Sequence, residues 1–132
     1  MFKLDKKKLK HKLNHLAFEV TQNNSTEPAF SGEYYDFYGK GTYSCICCDK
    51  KLFNSKDKYN SGSGWPSFSA SINDKELKLI KDKSFGMERI EVRCRKCDSH
   101  LGHLFNDGPK PTFKRFCINS VSLKFESDKD EL

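Results

Sequence analysis

Ile90-Glu91-Val92-Arg93-Cys94-Arg95-Lys96-Cys97 joins two patterns in one short run. Ile90, Val92 and Cys94 alternate with Glu91, Arg93 and Arg95, the period of a half-buried β-strand. Cys94 and Cys97 then close a C-x-x-C turn at the end of that strand. A single tight turn of this spacing offers two thiolates to one metal ion. The same spacing occurs upstream at Cys45 and Cys48. Together the four cysteines read as one tetrahedral zinc site. Four thiolates leave no open position for water, so such a site is structural and clamps two halves of a small sheet together. Cys47 interrupts the first turn, but Cys45 and Cys48 satisfy the spacing, so Cys47 should point away from the metal. His100 and His103 are rival ligands that a complete cysteine set does not need.

Working outward, Val121, Leu123 and Phe125 repeat the strand alternation, and Leu77 with Leu79 marks a further short strand. Residues 59–64 form a Ser/Gly/Asn turn and residues 106–111 a Gly/Pro loop. Near the N-terminus the period changes. Leu9, Leu13, Leu16 and Val20 recur at spacings of three and four, which predicts an amphipathic helical segment over 1–19. Asn14 is placed to cap a second helix and split that segment in two. Residues 21–33 read as a polar wrapping loop, and the tail from about 127 as flexible. The whole, 1–132, is expected to be a single domain, since a chain of 132 residues supports one core.

Composition narrows the classes of function. The net charge of +6 is carried mainly by lysine. Arginine, the residue suited to bidentate phosphate recognition, occurs only at Arg89, Arg93, Arg95 and Arg115. The charge is therefore expected to be a solvated surface and not a nucleic-acid footprint. No apolar run approaches a membrane span, and the basic start lacks the apolar stretch of a signal peptide. A reducing, cytoplasmic location is expected, where C-x-x-C pairs bind metal more often than they form disulfides. The terminal Lys129-Asp130-Glu131-Leu132 matches a retention signal of the endoplasmic reticulum. It reads more simply as a charged tail.

Cys117 lies outside the metal set, in Arg115-Phe116-Cys117-Ile118-Asn119-Ser120. A free cysteine is commonly a small buried hydrophobe. On a strand, however, residues 115, 117 and 119 share one face, and a cation, a thiol and an amide together make a plausible thiolate site. His100 and His103 are either hydrogen-bonded structural residues or partners in chemistry, and spacing alone leaves both open. Trp65, the only tryptophan, is a core residue or the wall of a pocket.

Taken together, these segments resemble the methionine-R-sulfoxide reductases, from about Val20 to Phe125. The motifs are Tyr43-Ser44-Cys45 with Cys48, Ser61-Gly62-Ser63-Gly64-Trp65-Pro66-Ser67-Phe68, Cys94-Arg95-Lys96-Cys97, His100-Leu101-Gly102-His103-Leu104-Phe105 and the run around Cys117. The resemblance implies a mainly β fold of two small antiparallel sheets, tent-like, with N-terminal helices and a structural zinc. It implies a Cys117 thiolate that attacks the sulfoxide sulfur, with His103 as proton donor and His100 beside it. Asn119 and Arg115 would orient polar groups and favour the thiolate. Trp65 and Phe105 would contact the substrate, Trp65 against its ε-methyl group. Cys117 would be left as a sulfenic acid.

Oxidised proteins or peptides are the implied partners, with thioredoxin or another thiol as reductant and the chain acting as a monomer. Ser63 departs from many relatives, which carry a resolving cysteine there. Cys47 is the spare thiol, so either it crosses to Cys117 or an external thiol attacks Cys117 directly; the second is expected. A zinc-ribbon binding module and a general thiol peroxidase are the competing readings.

Overall fold

A computed structural model describes residues 5–128 of the chain, and the Lys129–Leu132 tail lies outside them. Two short helices come first, α1 (Lys6–Lys12) and α2 (His15–Asn23). Asp5 caps α1 by accepting from the amides of Lys7 and Lys8. Asn14 caps α2 through Ala17 N–H at 2.8 Å, the split its position in the sequence predicts. The break changes the phase of the apolar stripe. Leu9, Leu13, Ala17 and Val20 are buried, while Leu16 is exposed. α2 also runs three residues further than expected, into the stretch read as loop. Thr21 permits this because its hydroxyl bonds back to Ala17 O at 2.8 Å.

Nine strands follow among the described residues, all paired antiparallel. They are β1 (Gly41–Cys45), β2 (Lys51–Asn54), β3 (Lys58–Tyr59), β4 (Ser67–Phe68), β5 (Leu77–Asp82), β6 (Arg89–Cys94), β7 (His100–Phe105), β8 (Arg115–Ile118) and β9 (Leu123–Ser127). One sheet has the order β2-β1-β9; the other runs β3-β4-β8-β7-β6-β5. The fold is therefore mainly β with two sheets and N-terminal helices, as the resemblance implies. Val121 is the exception to its predicted strand. It sits in a 3-10 turn at Ser120–Ser122, and β9 begins only at Leu123.

The core lies between the sheets and is built largely of aromatic rings. Phe53 stacks on Phe68 at 4.5 Å, and Tyr43 meets Phe68 edge-on at 5.2 Å. Phe116, Leu101, Ile118 and Val92 complete the layer, each at most 1% exposed. Burying each such side chain contributes about 1.5–3 kcal/mol. Phe116 and Ile118 of β8 thus face the core. Cys117 between them must project from the opposite face of the strand. α2 packs against β7 and the turn at Ser120–Ser122, closing one side of that region.

Candidate active site and metal centre

The two cysteine turns are one structure used twice. Cys45 ends β1 and Cys94 ends β6. In the first, Asp49 N–H donates to Cys45 O at 2.9 Å and Cys45 N–H to Lys50 O at 2.8 Å. In the second, Asp98 N–H donates to Cys94 O at 2.7 Å and Cys94 N–H to Ser99 O at 2.9 Å. Asp49 and Asp98 both adopt left-handed backbone, with φ of 65° and 64°. Each turn links two neighbouring strands, β1 to β2 in one sheet and β6 to β7 in the other.

The four sulfurs of Cys45, Cys48, Cys94 and Cys97 lie within 4.8 Å of one another. Cys45 Sγ is 3.6 Å from Cys97 Sγ, and Cys48 Sγ is 3.6 Å from Cys94 Sγ. A tetrahedron with metal–sulfur bonds of about 2.3 Å has edges of about 3.8 Å. The donor set therefore fits a four-thiolate metal ion that joins the two sheets. Cys47 stands apart from this set, with Gln22 Nε2 3.5 Å from its sulfur.

The second constellation is a row across the larger sheet. Cys117 in β8 lies directly opposite His103 in β7 and Ser67 in β4, and His103 lies opposite Glu91 in β6. Directly opposed residues project from one face. Gly102 makes the close approach of β7 and β8 possible here, since a Cβ at that position would collide with the Cys117 carbonyl oxygen. A cavity of about 90 Å³ opens over the row. Cys117, His103, Phe105 and Gly102 line it from the sheet, with Trp65, Asn119, Thr26 and Arg89 around its edge. Of the residues expected to act in catalysis or contact the substrate, all except His100 and Arg115 therefore reach this one cavity.

Each of those residues is held by a specific partner. Trp65 Nε1 donates to Glu27 O at 3.0 Å. Asn119 is buried and lies just beyond the end of β8, so the expected shared strand face stops at residue 118. Its Nδ2 donates to Leu101 O at 3.0 Å, and its Oδ1 accepts from Glu27 N–H at 3.0 Å. Arg115 is turned to Asp107, with Nε–Oδ1 at 2.8 Å and a second bond at 3.2 Å, and its guanidinium lies 4.2 Å from the Phe105 ring centre. His103 Nε2 is 2.8 Å from Asp82 Oδ2. His100 sits behind His103 with ring centres 5.6 Å apart, and its Nδ1 is 2.7 Å from Glu91 Oε2.

Electrostatics follow from this packing. Burial pushes the Cys117 thiol above its ordinary value, and the nearby carboxylates of Glu27 and Asp107 add to the rise. The Arg115 charge and a hydrogen bond with the Ser63 hydroxyl pull it back. Burial lowers His100, against the opposing effect of Glu91. Asp82 is held well below the usual carboxylate range, chiefly by Ser84 and then by His103.

Four acidic or basic residues here carried no sequence signal. Glu91 falls in the outward half of the strand alternation, yet it is 7% exposed and bonded to His100 and Arg93. Asp82 lies in an unremarkable Lys-Asp-Lys run, and Arg89 pairs with it at 3.4 Å. Glu27 lies in the polar loop, yet it is 1% exposed. The acidic three reach the site only through the sheet register or a long-range loop contact, which local patterns do not encode.

Residues 13–127 match the family model described as the SelR domain. The chain is 52% identical over 119 residues to a peptide methionine sulfoxide reductase MsrB of Thioalkalivibrio sulfidiphilus, covering 90% of this chain and 87% of that protein. It is 51% identical over 117 residues to the protein of the same name from Escherichia coli (strain K12 / DH10B), covering 89% and 85%.

Proposed function

The chain belongs to the MsrB family of peptide methionine sulfoxide reductases, and from that premise we propose that it reduces the R epimer of peptide-bound methionine sulfoxide at Cys117. The observation that carries this reading is the single cavity in which Cys117, His103 and Trp65 meet. A nucleophilic sulfur, a proton donor and an aromatic wall are the three parts that the reaction needs.

The Cys117 thiolate attacks the sulfoxide sulfur and the oxygen, protonated through His103, leaves as water. That gives a sulfonium bonded to Cys117. Water then attacks the Cys117 sulfur, so methionine departs and a sulfenic acid remains. Before recycling, the net change is a two-electron oxidation of the Cys117 thiol to a sulfenic acid as methionine sulfoxide is reduced to methionine, the water released in the first step being matched by the water consumed in the second. Trp65, anchored by its Nε1–H to Glu27 O, offers its ring to the methyl group and so fixes the handedness of the sulfur. Phe105 closes the apolar side under the Arg115 guanidinium. Arg115 favours the thiolate through its charge. Asn119 holds the Glu27 loop against β7, and His100 with Glu91 backs the His103 ring.

Cys45, Cys48, Cys94 and Cys97 would hold zinc, which would supply a cross-link between the sheets and, with four thiolates filling its coordination, no reactive position. Recycling falls to thioredoxin or another external thiol, because Ser63 offers no sulfur and Cys47 is buried in the first metal turn. The enzyme acts as a monomer on oxidised proteins in the cytoplasm, repairing oxidative damage. No described helix is long and apolar enough to cross a membrane. Turnover on separated R and S sulfoxide peptides, with thioredoxin supplied, tests the reading. Reduction of the R form alone is expected, and equal use of both epimers counts against it.

A further inference from the structure

We propose that a second cavity, beside the catalytic one and walled by the β5–β6 hairpin, holds a main-chain amide of the sulfoxide peptide through Arg89 and His100. The proposal rests on the reductase reading and assigns where the backbone of its substrate lies.

This cavity has a volume of about 300 Å³ and shares Thr26, Arg89 and His103 with the catalytic cavity. Asp82 and Phe85 border it from the β5–β6 hairpin, and Glu91 and His100 from the sheet. The side chain of methionine sulfoxide is short and unbranched. A substrate with its sulfur at Cys117 must therefore lay its backbone at the margin of the catalytic cavity, where the second cavity adjoins it.

Two atoms of the lining residues are unanswered. Arg89 Nε and His100 Nε2 are both buried and have no hydrogen-bond partner among the described residues. Buried polar atoms are normally paired, so atoms left open beside a cavity suit a ligand. Their chemistry is opposite. Arg89 Nε carries a hydrogen and can only donate. His100 Nδ1 lies 2.7 Å from Glu91 Oε2, a contact that places the ring proton on Nδ1 and leaves Nε2 as an acceptor. One donor and one acceptor match the C=O and N–H of a peptide main chain.

The charges around the cavity select a neutral group. Arg89 Nη2 lies 3.4 Å from Asp82 Oδ2, and Arg93 Nε lies 2.8 Å from Glu91 Oε2. Each charge is answered by a neighbour. A carboxylate or ammonium entering here would bring an uncompensated charge, and an amide brings none.

The test is binding to metal-loaded Cys117→Ser protein, followed by NMR titration. No turnover is needed, so its outcome is separate from that of the reductase reading. One probe is N-acetyl-methionine-R-sulfoxide N′-methylamide, which carries main-chain amides. The other is R-butyl methyl sulfoxide, which has the sulfoxide end alone. Adding Arg89→Met should weaken the amide probe by roughly tenfold, the worth of one hydrogen bond to a charged donor, and leave the alkyl sulfoxide within about twofold. In the parent Cys117→Ser protein, the amide probe should also move the ¹⁵N resonance of His100 Nε2, and the alkyl sulfoxide should not. That signal decides the question alone if Arg89→Met disturbs the fold. A His100 resonance that the amide probe leaves in place overturns the proposal, as does a folded Arg89→Met protein that binds the amide probe unchanged or loses both probes equally.

Discussion

His103 Nε2 lies 2.8 Å from Asp82 Oδ2, and that one contact reaches past β6 to tie the proposed acid in β7 to the edge strand β5. A carboxylate in hydrogen-bond reach of one ring nitrogen fixes the orientation of an imidazole and which nitrogen carries its proton. Asp82→Asn keeps the shape and removes the charge. We expect kcat to fall about tenfold to a hundredfold, within the range of general acid catalysis, with KM nearly unchanged. Steady-state kcat and KM of both proteins check this, and a pure KM effect would make Asp82 a binding residue.

The same carboxylate predicts a signature in acid. Its folded value is held below the ordinary one. Its contribution to stability is therefore present above about pH 4 and is lost as pH falls toward the folded value. Melting curves at pH 2.5 to 5 should show a steeper acid loss for the wild type than for Asp82→Asn. Parallel curves would mean that Asp82 is no better held in the fold than in the open chain.

Charge around Cys117 should be separable by sign. Arg115 pulls the thiol down and Glu27 pushes it up. Arg115→Ala should therefore raise the midpoint of Cys117 alkylation, and Glu27→Gln should lower it. Glutamine retains an acceptor for Val121 N–H, which Glu27 Oε1 now receives at 2.9 Å. Shifts in the same direction for both variants would show packing rather than charge to be in control.

The metal turns should carry stability and not chemistry. Cys97→Ser removes one corner of the sulfur tetrahedron that joins the sheets. Binding energy at such a site is folding energy, so the loss of a few kcal/mol should lower Tm by about 10 °C or more. Metal content by atomic absorption and a melting curve measure both effects together. Full stability without bound metal would assign the four cysteines another task.

Much of this was legible in the chain because local chemistry specifies it. The C-x-x-C-Asp turns repeat one hydrogen-bonded design, so their spacing pointed to the four cysteines whose sulfurs the fold brings together. Asn14 capped where its side chain and position required. The strand around Val92 was visible from its period, but the role of Glu91 was not. Alternation assigns polar residues to solvent, whereas a second face can be buried when His100 and Arg93 neutralise it. The Cys117–His103 pairing depends on register between strands well separated in sequence. Asp82 and Glu27 were hidden for the same reason. Nothing in their neighbourhoods distinguishes them from ordinary surface acids.

Recycling offers a further check on the proposed cycle. Cys47→Ser should leave thioredoxin-supported turnover within about twofold of wild type, since a buried thiol is a poor partner in exchange. Ser63→Cys should instead yield a disulfide to Cys117, with two thiols lost per turnover. A Cys47–Cys117 peptide after digestion of oxidised wild type would make Cys47 the resolving residue.

The central claim is oxidation of Cys117 to a sulfenic acid as methionine sulfoxide is reduced, and a single turnover without reductant measures it most directly. Excess peptide methionine-R-sulfoxide is added to metal-loaded enzyme with a dimedone probe. Methionine and the labelled peptide are then counted. The account predicts about one methionine and one adduct per chain, the adduct on Cys117, with no methionine from the S epimer and none from Cys117→Ser. Methionine released by Cys117→Ser, or an adduct on any other cysteine, would contradict it.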